Sequence, residues 1–168
     1  MSLFGTAGIR GDVTDGVTPE VALSVGRAVG YDARDRDVDE VVVGLDGRVT
    51  GPALSSAVEA GLLSTGVSAR RVGQVPTPAL AFASRGRVGV MLTASHNPPS
   101  DNGIKLFVDR REFDASEEED IERRFGESVR PGPWDAWERP THLDVLDEYR
   151  TAVAGYAERF GSSLEGLP

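Results

Sequence analysis

Residues 88–105 read VGVMLTASHNPPSDNGIK, an apolar run followed by a polar loop and the start of a second apolar pattern. The run from Val88 to Leu92 predicts a strand. Asn102-Gly103 predicts a tight turn. The alternation over residues 104–108 predicts a second strand, in which Lys105 faces away from the side of Ile104. The stretch therefore predicts two strands joined through a polar loop.

Strand and helix patterns alternate through the first hundred residues. Helical patterns cover residues 18–33, 52–65 and 78–85, and apolar runs lie between them at 40–45 and 70–75. Thr18-Pro19 and Thr77-Pro78 predict helix starts, because each places a hydroxyl N-cap before a proline at the first helical position. This alternation predicts a three-layer α/β/α fold with a mixed, largely parallel sheet.

Prolines divide the C-terminal part of the chain. A helix is predicted from Ser116 to Phe125, and its acidic first turn is interpreted as a solvated helix start rather than a metal site. The proline-rich residues 130–140 predict a linker, and residues 143–160 predict a final helix. That helix carries an apolar stripe of Leu143, Leu146, Tyr149, Val153, Tyr156 and Phe160. We expect one domain over residues 1–140, then a linker helix and the start of a second domain over residues 141–168.

The composition restricts the class of protein. With 27 acidic residues, 18 basic residues, no cysteine and 39% hydrophobic residues, the chain is expected to be soluble, globular and free of disulfides. The net charge of -9 argues against nucleic acid as a partner, and no apolar run is long enough to cross a membrane. The N-terminus lacks the pattern of a secretion signal, so we expect a cytoplasmic protein. High acidity with a single lysine is typical of high-salt cytoplasm, which suggests a halophilic protein.

Ser95 is the first candidate for chemistry. It lies just past the end of a predicted strand, where open α/β sheets bind ligands. Pro98 restricts Asn97 to an extended conformation, so the loop is expected to present the serine hydroxyl at a fixed place. An ordinary polar loop is the alternative interpretation. A serine hydrolase is disfavoured, because the Gly-x-Ser-x-Gly elbow is absent and adjacent residues such as Ser95 and His96 usually point in different directions.

Two further stretches are suited to anions. Residues 4–11 read FGTAGIRG, in which the glycines allow backbone N–H groups to approach an anion and Arg10 offers a planar fork. Residues 44–48 read GLDGR and lead into a predicted helix N-terminus, which also suits phosphate. The alternatives are a glycine-rich hairpin for the first stretch and a structural ion pair between Asp46 and Arg48 for the second.

Lys105 is the only lysine among the 18 basic residues. Arginine stays protonated at any working pH, whereas the surroundings of a lysine can make it exchange a proton. A lone lysine shortly after the serine loop therefore suggests proton transfer. Chance placement at one of the basic positions is the alternative.

Five stretches in this order resemble the first domain of the α-D-phosphohexomutases, the phosphoglucomutase and phosphomannomutase family. They are residues 4–11 (FGTAGIRG), 44–48 (GLDGR), 77–79 (TPA), 93–98 (TASHNP) and 102–105 (NGIK). The resemblance spans about residues 4 to 108, and TASHNP with NGIK shortly after it is highly specific.

The resemblance implies a phosphoserine enzyme that interconverts hexose 1-phosphate and hexose 6-phosphate through a bisphosphorylated intermediate. Ser95 would carry the phosphoryl group, and Lys105 would be the general acid/base. Arg10 and the catalytic His96 would contact the phosphoryl group, and Asn97 would shape the loop. The implied cofactors are Mg²⁺, bound to a phosphoryl oxygen on Ser95, and glucose 1,6-bisphosphate or its mannose analogue as activator.

Other family features do not occur in these 168 residues: the aspartate triplet for magnesium, the sugar-reading Glu-x-Ser-Gly-His loop and the C-terminal phosphate-binding loop. Position 7 is Ala, where many members carry an acidic residue. We therefore expect the first domain alone, whose partners are the hexose phosphate substrate and the following domains of the same protein, and which has little mutase turnover alone. Thr93 before the alanine favours glucose or mannose over glucosamine. A stand-alone phosphosugar-binding or assembly module is the alternative function.

Overall fold

The computed structural model describes residues 3–5, 8–159 and 161. In these residues the helices are α1 (Pro19–Asp35), α2 (Gly51–Leu63), α3 (Thr77–Ala83), α4 (Ala115–Gly126) and α5 (Leu146–Ala157), with a 3₁₀ turn at Trp134–Ala136. The strands are β1 (Ile9–Asp12), β2 (Glu40–Leu45), β3 (Ser68–Gln74), β4 (Val88–Leu92), β5 (Asp101–Val108), β6 (Arg111–Glu112) and β7 (Thr141–His142).

All of these strands belong to one mixed sheet. Its order is β1-β5-β4-β2-β3-β7, and β6 pairs with β5. Strands β4, β2, β3 and β7 run parallel, whereas β5 is antiparallel to β4, β1 and β6. Of the described strands, β5 alone therefore runs against the common direction. The predicted mixed and largely parallel sheet is confirmed.

Helices cover both faces of the sheet and give the predicted three layers. On one face α1, α2 and α4 bury apolar residues such as Val29, Leu62 and Ile121 against the sheet. Helices α1 and α2 approach closely at Gly26, where an added Cβ would lie 2.2 Å from the Val58 carbonyl oxygen. On the other face α3 and the start of α5 cover a second cluster that includes Phe107.

The two predicted helix starts differ in outcome. Thr18 caps α1 by accepting a hydrogen bond from the Val21 N–H, and Pro19 is the first helical residue, as predicted. The N-cap of α3 is Pro76 rather than Thr77. The extended Pro76 already supplies the carbonyl that accepts from the Ala79 and Leu80 N–H groups, so Thr77 becomes helical.

The predicted turn at Asn102-Gly103 is wrong. Both residues lie within β5, and Gly103 pairs with Arg10 of β1. The chain reverses earlier, in the loop between β4 and β5. Glycine is required because an added Cβ would lie 2.6 Å from the Thr93 carbonyl oxygen and 2.8 Å from that of Ile9. Three backbones meet here, which the local dipeptide pattern does not reveal.

The segment after residue 140 packs onto the sheet edge. Thr141 and His142 form β7 beside β3, and the Leu143 N–H donates to the Arg71 carbonyl. This bond holds residue 143 to the strand, so α5 begins at Leu146 rather than at 143. The division at residue 140 stays a prediction. Three residues used in the sequence analysis lie outside the described residues: Thr6, Ala7 and Phe160, the last residue of the predicted stripe.

Among the described residues, no helix is long and apolar enough to span a membrane.

Candidate active site

The candidate residues meet at the carboxyl edge of the parallel strands. Strands β2 and β4 are neighbours, and the loops that follow them carry Asp46, Arg48 and Ser95. Strand β5 runs the opposite way, so its first residue, Asp101, lies at the same edge. An open cleft is lined by the two loops, with the largely exposed Val49 on its rim. Open α/β sheets bind ligands at this edge.

Ser95 has a strained backbone and an exposed side chain. Its φ angle of 55° is in the left-handed region, which is uncommon for a residue with a side chain. Its N–H donates to Thr93 Oγ1 at 3.0 Å, and its Oγ lies 3.3 Å from His96 Nδ1. The loop therefore holds the serine in one conformation and leaves its hydroxyl open to the cleft.

Asp46 joins the two loops. One of its carboxylate oxygens accepts the Thr93 hydroxyl at 2.7 Å, and the other accepts the Arg48 N–H at 2.9 Å. The buried Thr93 thus accepts from Ser95 and donates to Asp46. Sequence reasoning considered Asp46 only as an ion-pair partner and Thr93 only as part of a motif. A polar residue directly after each of two adjacent strands is the signal that could have identified them.

Arg48 contacts the serine loop through backbone carbonyls. Its guanidinium group donates to the carbonyl oxygens of Ser95, Asn97, Pro98 and Asp101 at 3.1, 2.8, 2.6 and 2.8 Å. Its Nε lies 3.4 Å from Asp46 Oδ2. The alternative of a structural ion pair is thereby favoured over phosphate binding for this stretch.

Arg10 reaches the same loop from β1. Its Nη1 donates to Asn97 Oδ1 at 3.3 Å, and Asn97 Nδ2 donates to Asp101 at 3.0 Å. The bond to Asn97 is the only hydrogen bond of the Arg10 side chain in the described part of the chain, and its Nε is buried without a partner. The Nη2 of the side chain that sequence reasoning assigned to phosphate therefore keeps its donors for an anion.

Lys105 lies on the face of the sheet that carries Arg10. Arg10 pairs with Gly103, two residues before Lys105, so the two side chains project to the same side. The Lys105 ammonium group donates to Glu112 Oε1 of β6 at 2.7 Å. Burial, with Glu112 and other carboxylates nearby, raises the pKa of Glu118, and Lys105 opposes this rise. Sequence reasoning did not identify Glu112, whose side chain reaches Lys105 only because the chain folds back at β6.

The described residues contain no group of three or more His, Cys, Asp or Glu side chains that could hold a metal ion. Two carboxylates at this edge of the sheet already have partners. Asp46 accepts from Thr93 and Arg48, and Asp101 accepts from Asn97.

Comparisons with known proteins agree with this architecture. Residues 1–130 match the domain described as phosphoglucomutase/phosphomannomutase, alpha/beta/alpha domain I. The phosphopentomutase of Thermococcus kodakarensis is 42% identical over 160 residues, which are 93% of this chain and 35% of that protein. The phosphoglucosamine mutase of Salinispora tropica is 43% identical over 149 residues, 85% of this chain and 32% of that protein.

A solved structure shows the same fold. The phosphoglucomutase/phosphomannomutase family protein from Burkholderia thailandensis superposes with a TM-score of 0.81 at 32% identity, over 91% of this chain and 35% of that one. The chain thus spans about a third of the length of these relatives. The matched domain, the α/β/α fold and the serine loop at its carboxyl edge together show that the chain belongs to the phosphoglucomutase/phosphomannomutase family, as its domain I.

Proposed function

We propose that this chain is the phosphoserine-bearing domain of a phosphohexomutase that interconverts hexose 1-phosphate and hexose 6-phosphate. The setting of Ser95 carries the proposal: an exposed hydroxyl on a residue with left-handed backbone, beside an open cleft at the carboxyl edge of the sheet. A phosphoryl group on Ser95 Oγ passes to a free sugar hydroxyl, so that the Oγ–P bond breaks as the sugar O–P bond forms. After the bisphosphate turns round, its other phosphoryl group returns to Ser95 Oγ.

The neighbouring side chains support these two transfers. Arg10 neutralises phosphoryl oxygens with the Nη2 donors that Asn97 leaves unused. His96 lies within reach of the Ser95 oxygen and hydrogen-bonds the group attached to it. Lys105 as the neutral amine accepts the proton of the attacking sugar hydroxyl, and as the resulting ammonium it returns that proton to the leaving oxygen in the reverse step. Phosphoryl transfer depends mainly on such positioning and charge neutralisation.

Mg²⁺ belongs to the proposal as a cofactor. When bound, it supplies positive charge to a phosphoryl oxygen during transfer. This chain contributes Ser95 as the attachment point, and the other ligands come from the domains that follow in a full-length protein. A bisphosphorylated sugar such as glucose 1,6-bisphosphate, or its mannose analogue, loads the serine.

We further propose that the substrate is glucose phosphate or mannose phosphate. Thr93 before the alanine favours glucose or mannose, whereas the relatives above are named for glucosamine and pentose phosphates. A panel of glucose, mannose, glucosamine and ribose phosphates, assayed with the full-length protein, decides between them. The highest kcat/KM for glucosamine or ribose phosphate would overturn the glucose and mannose preference.

Mass spectrometry of the chain tests the serine directly. We expect incubation with glucose 1,6-bisphosphate and Mg²⁺ to add one phosphoryl group, which peptide mapping places on Ser95. Ser100→Ala is the matched control, because Ser100 is an exposed serine of the same loop. We expect this variant to be labelled normally and Ser95→Ala to stay unlabelled. In the full-length protein, mutase activity retained by Ser95→Ala would refute the proposed function.

The assembly module is the second candidate, because α5 exposes Val153 and Tyr156 at 48% and 62% of their surfaces. Sedimentation of the chain separates the two functions. A defined oligomer without Ser95 labelling would favour the module. A labelled monomer without net sugar turnover is the result that we expect for an isolated mutase domain.

A further inference from the structure

The Nη donors of Arg48 are all engaged by backbone carbonyls of the serine loop. A guanidinium group carries five N–H donors. Nη1 donates to the Pro98 and Asp101 carbonyls, and Nη2 donates to the Ser95 and Asn97 carbonyls. The Nε lies 3.4 Å from Asp46 Oδ2 and is buried without a hydrogen-bond partner among the described residues, and the side chain is only 13% exposed. The four Nη donors of Arg48 are therefore engaged by the loop, and its remaining donor is buried away from the cleft.

A second set of contacts holds the other side of the serine. The Ser95 N–H donates to the Thr93 hydroxyl, and that hydroxyl donates to Asp46. Asp46 in turn accepts the Arg48 N–H. The N–H and the C=O of Ser95 are thus both tied, through Thr93 and through Arg48, to one turn after β2. The backbone of Ser95, with its left-handed φ, is therefore held by Arg48 from outside its loop and by Thr93, which Asp46 anchors from outside the loop.

We infer that Arg48 is the positioning residue of the phosphoserine loop. It holds residues 95–101 in the conformation that presents the Ser95 hydroxyl to the cleft, through carbonyl contacts and without binding phosphate. Asp46 anchors this contact and the one through Thr93. The consequence for phosphoryl transfer rests on the proposed function, whereas the ordering of the loop does not.

The substitution Arg48→Lys distinguishes a positioning role from a phosphate-binding role. The ammonium group is a compact charge with three donors, so it cannot reach four carbonyls spread over residues 95–101 as the planar fork does. A lysine at position 48 would still attract phosphate. A positioning role therefore predicts no rescue by Arg48→Lys, and a phosphate-binding role predicts substantial rescue.

The first experiment measures hydrogen exchange in wild type, Arg48→Met, Arg48→Lys and the control Arg85→Met, which removes an exposed arginine at the end of α3. We expect the amides of Ser95, Asn97 and Asp101 to exchange faster in both position-48 variants. The β4 amides should keep their wild-type protection in every variant, which also verifies the fold. Wild-type exchange of the loop amides in Arg48→Met would overturn the positioning role of Arg48. If Arg48→Met does not fold, Arg48→Lys provides the same test.

The second experiment follows the rate of Ser95 phosphorylation against the concentration of glucose 1,6-bisphosphate with Mg²⁺. We expect the maximal rate to fall about a hundredfold in both position-48 variants. The half-saturating concentration of glucose 1,6-bisphosphate should stay within about twofold of the wild-type value, because Arg48 does not contact the bound sugar phosphate before transfer. A raised half-saturating concentration in Arg48→Met that lysine restores would show phosphate binding and overturn the inference. If the wild-type chain is not phosphorylated, the phosphoserine role of Ser95 is refuted. The hydrogen-exchange data would still test whether Arg48 positions the loop.

Discussion

Lys105 lies on β5, the neighbour of the strand β4 that leads into the Ser95 loop, and the role proposed for Lys105 depends on its ability to exchange a proton. Lys105→Arg keeps a cation beside Glu112 but holds its protons at any working pH. We expect turnover of the full-length protein to fall by about a hundredfold or more, with sugar-phosphate affinity unchanged. Steady-state kinetics measure both. Glu112→Gln is the control, because it breaks the same ion pair and keeps the lysine. A Lys105→Arg enzyme with the wild-type rate would remove the proton-transfer role.

Glu59 is a buried carboxylate whose side chain is only 4% exposed. It accepts from Arg71 Nε at 2.7 Å and from the Ser55 hydroxyl at 3.1 Å. Arg71→Met leaves the carboxylate without its charged partner, so we expect a loss of about 2 kcal/mol in the free energy of unfolding. Urea denaturation measures it. Combining Arg71→Met with Glu59→Met should recover most of the loss, and an additive double variant would contradict this account.

At the scale of the element, α1 ends in a Schellman motif that contains an aspartate. The Val38 N–H donates to the Ala33 carbonyl and the Asp37 N–H to the Arg34 carbonyl. Asp37 has a φ of 56°, a conformation that costs glycine nothing.

Asp37→Gly is therefore expected to raise the free energy of unfolding by about 0.5–1 kcal/mol. Thermal or urea unfolding measures the change. Asp37→Ala is the matched control, since it removes the same charge from the helix C-terminus but keeps the Cβ. Equal stabilisation by alanine would attribute the effect to charge and refute the conformational cause.

At the scale of the whole molecule, Glu117 of α4 joins three elements. It accepts from Arg111 of β6 and from Arg36 at the end of α1, and it closes a capping box with Asp114. The hydrogen bond from Arg111, together with the Asp114 N–H and Arg36, lowers the pKa of Glu117 from 4.5 to about 2. The folded state therefore holds the ionised carboxylate more strongly than the unfolded chain does.

A carboxylate whose pKa falls on folding stabilises the protein above its unfolded value and loses that contribution as the pH falls. The window for Glu117 therefore runs from about 4.5 down to about 2. We expect Glu117→Gln to cost on the order of 1 kcal/mol at pH 7, reduced by solvent screening, and almost nothing near pH 2. Denaturation of both proteins across this range measures the difference, and a constant difference would contradict the assignment.

The net charge of -9 acts on the molecule as a whole. Like charges repel within the compact state, and salt screens this repulsion. If the halophilic hypothesis holds, the unfolding temperature should rise from low to molar KCl. The same temperature at both salt concentrations would refute it.

The sequence determined the local structure because the interactions responsible lie a few residues apart. Apolar periodicity predicted the strands β2, β3 and β4 and the helices between them, and the Thr18 cap and the acidic start of α4 followed from neighbouring residues. The family resemblance implied that Arg10 would lie near Ser95, and Arg10 hydrogen-bonds Asn97 in the loop that carries Ser95.

The tertiary structure alone decided how those residues are used. Asn102-Gly103 became part of a strand because β1 and β4 flank it, and Leu143 was held to β3 rather than starting a helix. Arg48 lies 47 residues before Ser95 in the chain and reaches its carbonyl only because β2 and β4 are neighbours. Lys105 acquired Glu112 as a partner only when the chain folded back at β6. A sequence pattern records residue type and spacing, whereas the hydrogen-bond partner of a donor depends on which strands the fold places side by side.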